Sequence, residues 1–203
     1  MSILLCEAVS SIRRAFPVTD DTGRQAEEYF QLRPEFLEDY GFSLDRGDDH
    51  YLSTARTRRF SSTNTNVAQQ AIQPLDIVMQ IIGNEIGRVG LVTPDLDARW
   101  IAPPTFAILR VNLPRENMDE ILPLYYYFRR PETRKLLRES ANKLGAAWVL
   151  PVKTLRNIKV PRFEREFIKR AREAFEKQGH LRKEISRMEK TLMGLDAKLT
   201  HFI

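Results

Sequence analysis

The sequence predicts an α+β protein: one mixed globular domain of antiparallel strands and short helices over residues 1–161, then a long C-terminal coiled-coil helix over residues 162–203. Three observations point there. Between Asp76 and Val111, short apolar runs are separated by Gly and Pro, as strands and turns require. Between Leu122 and Ala141 the pattern changes to helical spacing. From Glu164 to Phe202 apolar residues recur every seven positions. With Ala171 as position a, the a series is Ala171, Gln178, Ile185, Leu192 and Leu199; the d series is Phe167, Ala174, Leu181, Met188, Leu195 and Phe202. Glu, Lys and Arg fill most places between, leaving one apolar stripe on a wet helix.

The first residues, Ser2 to Val18, are short and mixed, with Val9, Ile12 and Phe16 as anchors and Ser10 and Ser11 as a start for a brief helix or turn. Residues 19–28 are polar and read as a loop. Tyr29, Phe30 and Leu32, stopped by Pro34, read as a strand. From Glu35 to Asn66 no period is visible. The clearest strand follows at Asp76 to Ile82, then Gly83 to Gly87 as a tight connection, then Arg88 to Val92, which together predict an antiparallel hairpin. Trp100 to Ala102 and Phe106 to Val111 are further strands. Leu122 to Phe128 is too densely aromatic for one amphipathic face and predicts a helix buried against the sheet. A second helix is expected from Glu132 to Ala141, with Leu136 and Leu137 inward and Arg134, Lys135 and Arg138 outward. Gly145 to Pro151 reads as a connection, Val152 to Ile158 as a short helix, and Ile158 to Pro161 as the last strand.

Charge and cysteine usage narrow the function. The net charge is +5, from 32 basic and 27 acidic residues. Glu164 to Ile203 holds ten basic and seven acidic residues, so the body is nearly balanced and a nucleic-acid surface has to be local. A single cysteine, Cys6, excludes a disulfide framework and a thiolate-rich zinc site, and its apolar neighbours predict a small buried hydrophobe. No signal-peptide pattern and no apolar run of membrane-spanning length is present, which predicts a cytoplasmic protein with no membrane partner.

Catalytic groupings are hard to assemble, and neither a cofactor nor a metal is expected. Asp45, Asp48, Asp49 and His50 form a tight acidic cluster that reads better as a solvated turn than as an ion site. Asp76 lacks the further acid and lysine of a nuclease strand. The glycines at 83, 87 and 90 lack a Walker lysine and fit a hairpin better than a phosphate loop. Binding has more support. Arg56, Arg58, Arg59, Asn64 and Asn66 share an aperiodic polar segment, and arginine and asparagine can read guanine and adenine edges or hold phosphates. An ordinary wet loop is the alternative. Gln80, Asn84 and Arg88 sit at the hairpin as candidate groove contacts. Arg129, Arg130, Arg134, Lys135, Arg138 and Lys143 form a second basic patch, with Glu132 and Glu139 against them.

Three stretches in order carry a resemblance. "IQPLDIVMQIIGNEIGRVGLV" from Ile72 to Val92 resembles the strand and hairpin signature of target recognition domains in type I restriction-modification specificity subunits. "LPLYYYFRRPETRKLLRES" from Leu122 to Ser140 is similar to their aromatic helix pair, and "VLPVKTLRNIKVPRFEREF" from Val149 to Phe167 to the segment that enters their spacer helix. The resemblance implies a non-catalytic subunit that reads one part of a split double-stranded DNA sequence and docks a DNA methyltransferase subunit, with a restriction subunit as a further partner. It implies that Gly83, Gly87 and Gly90 shape the hairpin, that Leu155 and Ile158 pack at the exit, and that Phe167 to Phe202 is the spacer. Leu75 departs from the pattern, standing where a glycine often precedes the aspartate, and Pro161-Arg162-Phe163 lacks the usual proline-rich ending. One reader and one spacer stand where the family has two of each, which implies a half-subunit that dimerises. A protein–protein adaptor or inhibitor of a defence complex, keeping the fold without specific DNA binding, is the alternative. With no second long helix in the chain to cover the seam, an antiparallel homodimer is expected, with Gln178 as a polar register marker.

Overall fold

The computed structural model describes residues 2–15, 27–32, 37–38, 41–42, 59–62, 71–92, 100–111 and 118–200. The first part of the chain gives strand β1 (Ser2–Leu4), helix α1 (Leu5–Ala8), β2 (Ser11–Arg14), β3 (Glu27–Gln31), β4 (Leu37–Glu38), β5 (Gly41–Phe42) and β6 (Arg59–Ser62). The middle gives β7 (Ile77–Gln80), β8 (Ile82–Gly83), β9 (Val89–Leu91), β10 (Trp100–Ile101) and β11 (Phe106–Arg110). Then come α2 (Met118–Arg129), α3 (Pro131–Glu139), β12 (Asn142–Leu144), β13 (Ala147–Val149), α4 (Val152–Arg156), β14 (Lys159–Pro161) and α5 (Arg165–Thr200).

The apolar run after Asp76 becomes the centre of the molecule. An antiparallel sheet in the order β2-β11-β7-β9 carries it, with Ile77 opposite Leu91 and Leu109. Alternate residues of a strand face opposite sides. Ile77, Met79, Ala107 and Leu109 join Ile121, Leu122, Tyr125 and Phe128 of α2 in one core. Val78, Phe106 and Ile108 join Leu32, Ile72 and Trp100 in a second core. Burial on both faces explains why the run is continuously apolar rather than alternating. At Ile81 the chain leaves this sheet, and β8 pairs with β13 in a small sheet β12-β13-β8. The described ladders are antiparallel except for β10 against β3. β1 and β14 pair at the exit of the domain, where Leu155 and Ile158 are buried.

A turn from Gln73 to Asp76 feeds the central strand, closed by a 3.0 Å bond from the Asp76 N–H to the Gln73 carbonyl. Pro74 takes its second position and Leu75 its third, at φ +68, where glycine is the favoured residue. The place where the sequence departs from its resemblance is therefore a strained one. The buried Asp76 carboxylate accepts from the Gln73 N–H at 2.7 Å and from Nε and Nη2 of Arg110 at 2.8 and 2.6 Å. It locks the turn to β11 and is fully engaged. Arg13 lies nearby; burial, and next the repulsion of Arg110, lower its pKa, with Asp76 opposing.

Several expectations need correction. Cys6 is exposed, because α1 turns it away from the core that takes Leu5. The brief N-terminal helix precedes Ser10, and Ser11 opens a strand. Leu136 is exposed while Leu137 is fully buried, since α3 buries one narrow stripe through Thr133 and Leu137, four residues apart. Residues 142–149 form a hairpin rather than a connection, with Gly145 at φ +61 in its turn. The seam also has a partner within the chain, because α2 lies along the first turns of α5. Tyr126 donates to Gln178 at 3.0 Å, and Arg172 pairs with Asp119. Phe163 stacks on Phe167 with ring centroids 5.4 Å apart.

Candidate nucleic-acid interface

The hairpin between β7 and β9 is closed by two bonds, from the Gln80 N–H to the Arg88 carbonyl at 2.8 Å and from the Gly87 N–H to the Gln80 carbonyl at 2.9 Å. Inside it, Glu85 to Arg88 form a tight turn with Gly87 at φ +81 in its third position, where a side chain would be strained. Gly87 has a second reason to be bare. A Cβ there would lie 2.8 Å from Cδ1 of Leu137, so the missing side chain lets α3 seat directly on the turn. α3 starts with Pro131 just inside its first turn, a position that suits proline. Arg134 and Arg138 are four residues apart and share a helical face.

The result is a cleft of about 390 Å³ between turn and helix, lined by Asn84, Glu85, Ile86 and Arg88 from the hairpin and by Arg134, Lys135 and Arg138 from α3. Four cations stand there against the single carboxylate of Glu85. Arg88 Nη1 donates to Glu85 Oε2 at 2.8 Å, and Arg138 lies over the Trp148 ring, 5.3 Å from its centroid. Nε of Arg88 and Nε of Arg134 are buried and have no hydrogen-bond partner among the described residues. Such a concentration of cation and orphaned donor suits an anion.

Of the residues singled out in the sequence, Asn84 and Arg88 line this cleft. Gln80 does not line it: its side chain is buried, with Nε2 donating to the Ile82 carbonyl at 3.2 Å within the hairpin. Arg129 lies over the Tyr125 ring and bonds its hydroxyl at 3.4 Å; Arg130 lies over Phe167 at 4.9 Å, beside the root of α5. Lys143 is exposed on β12, opposite Trp148. Arg59 is in β6 opposite Phe30, its side chain outside the described residues, as are Arg56, Arg58, Asn64, Asn66 and the cluster from Asp45 to His50. Arg134, Lys135 and Arg138 belonged to a recognised basic patch, but nothing in the sequence joined that patch to the hairpin. Their spacing put two arginines on one face; the close approach at Gly87 supplied the rest.

On α5, Ala171 is buried and Phe167, Ala174 and Gln178 are half-buried against the body. Beyond Gln178 the stripe opens: Leu181, Ile185, Met188 and Leu192 are 49, 47, 63 and 61% exposed. Leu195 and Leu199 continue the helix with side chains outside the described residues. Among the described residues no cluster of three or more His, Cys, Asp or Glu is placed to hold a metal, and no helix is long and apolar enough to cross a membrane.

No protein-family model and no curated protein matches the sequence. Solved structures do. A chain from a structure on complex assembly and conformational transition of the type I R-M system superposes over 100% of this chain and 43% of its own, with a TM-score of 0.50 at 15% identity. The HsdS subunit from Thermoanaerobacter tengcongensis superposes over 96% of this chain and 43% of its own, with a TM-score of 0.47 at 15% identity. The likeness to the first is one of fold, and this chain spans less than half the length of either.

Proposed function

We propose that the chain supplies one reader and one spacer of a non-catalytic specificity subunit in a type I-like restriction-modification methyltransferase complex, recognising double-stranded DNA by sequence. Residues 1–161 read one part of the target, and residues 162–203 pair with a second copy and dock the methyltransferase subunit, with a restriction subunit joining that assembly. The observation that carries this reading is the convergence of Asn84 and Arg88 from the hairpin with Arg134, Lys135 and Arg138 from α3 on one cleft. The shared fold with a chain of a type I R-M system supports it. In this division of labour the cleft grips the backbone, which positions the protein, and the polar segment of Arg56, Arg58, Arg59, Asn64 and Asn66 supplies base contacts.

Duplex binding by the purified chain across a salt series tests it. Replacing Arg88 and Arg134 with alanine is expected to weaken binding to all duplexes alike and to reduce the salt slope by about 1 for each phosphate no longer held. Replacing Arg56, Arg58 and Arg59 with alanine is expected to change sequence preference. A wild-type chain that retains no duplex at low salt would leave the adaptor reading in its place.

A further inference from the structure

A guanidinium carries five N–H donors in a fixed fork, and buried donors are almost always satisfied. Arg88 and Arg134 depart from this at the same cleft, one from each wall. Glu85 takes one edge of Arg88, at Nη1, and leaves the buried Nε of Arg88 and the buried Nε of Arg134 without a partner among the described residues. The chemistry that completes such a set is an anion whose oxygens point in more than one direction, so that two forks on different elements bind together. A carboxylate presents its two oxygens in one plane, whereas a tetrahedral phosphate presents oxygens in several directions and matches forks that approach from two different elements. Lys135 and Arg138 add charge at the wall of the cleft, and stacking on Trp148 holds Arg138 in place.

We infer that this cleft is a discrete site for one phosphate group, and that Glu85 is an internal competitor which the phosphate displaces from Arg88. The Glu85 side chain is 64% exposed while that of Arg88 is 22% exposed, so the carboxylate can swing into water as the arginine stays seated. Occupation is thus an exchange of one anion for another, which favours a doubly coordinated phosphate over chloride or a lone carboxylate. The inference deepens the DNA-binding proposal and rests on it only for the source of the phosphate, a backbone diester or a free phosphate ester.

The arginine Nε–H resonances of the full-length protein report on the atoms concerned. Those of Arg88 and Arg134 are assigned by their loss in Arg88→Lys and Arg134→Lys, and inorganic phosphate is titrated at constant ionic strength against chloride. Both resonances are expected to move together and to saturate as one site. Each lysine variant should weaken phosphate binding about tenfold, the loss of a charge-assisted bond. Glu85→Gln, a change on an exposed side chain, should tighten it about two- to fivefold. A linear drift shared with chloride would overturn the site, and unchanged affinity in Glu85→Gln would overturn the displacement. Repeating the titration with a short duplex and with adenosine monophosphate separates the sources. Resonances that follow the duplex identify the backbone diester; resonances that follow only the mononucleotide keep the site and remove it from DNA reading.

Discussion

Asp76 shows how one buried charge organises the entry to the central strand. It is 1% exposed and binds both a turn N–H and the fork of Arg110, while Arg13 stands near with Nε and Nη2 buried and unpartnered among the described residues. Removing the anion strands two cations; removing Arg110 leaves Arg13 to serve the carboxylate. Asp76→Asn is therefore expected to cost about 3–5 kcal/mol in urea unfolding, and Arg110→Met less than that. Equal costs, or the reverse order, would show that Arg13 contributes nothing. One residue earlier, Leu75 holds φ +68 while its half-buried side chain packs against the core. Left-handed backbone costs a side-chain residue about 1–2 kcal/mol. Relief of that strain offsets the missing packing, so Leu75→Gly should change stability by no more than about 1 kcal/mol, where deletion of a well-packed leucine costs about 2–5 kcal/mol. A drop in that larger range would mean that the turn carries little strain.

Among the elements, the junction of the hairpin with α3 decides whether the cleft exists. Gly87→Ala places a methyl against Leu137 and a side chain at φ +81. We expect a loss of about 1–3 kcal/mol, the range of an overpacked core, together with weaker duplex binding, because α3 must move away from the turn. Near-native thermal stability with full binding would mean that α3 does not depend on the bare Gly87. Strands β7, β9, β10 and β11 were legible in the sequence because Gly and Pro punctuate short apolar runs, and α2 because its aromatics are too dense for a single amphipathic face. The β12–β13 hairpin was not, since Asn142 to Leu144 are all exposed and carry no alternation. The choice between Leu136 and Leu137 was equally hidden, as a nine-residue helix gives too few repeats to fix its buried face. For the site, both basic groups were visible, but their meeting depends on a missing Cβ, which leaves no periodic trace.

At the scale of the whole molecule, α5 has two parts. Its first turns are held to the body by Phe163, Ala171, Phe175 and the Tyr126–Gln178 bond, so the seam read in the sequence is partly spent within the chain. The part from Leu181 to Leu192 keeps its apolar side chains in water. Covering the exposed half of each in a second copy would gain on the order of 1 kcal/mol apiece. Light scattering at micromolar concentration is expected to give twice the 23.6 kDa chain mass, returning to the single mass in an Ile185→Lys, Leu192→Lys variant. A monomer in both would place the stripe against another protein. If two copies do pair in antiparallel fashion, two readers face one duplex with two-fold symmetry, and the target is split and palindromic. Selection of duplexes from a randomised pool by the purified full-length chain tests recognition itself. We expect enrichment of one motif, repeated in inverted orientation across a fixed gap; retention of all sequences alike, with no motif emerging over successive rounds, would contradict sequence-specific reading by this chain.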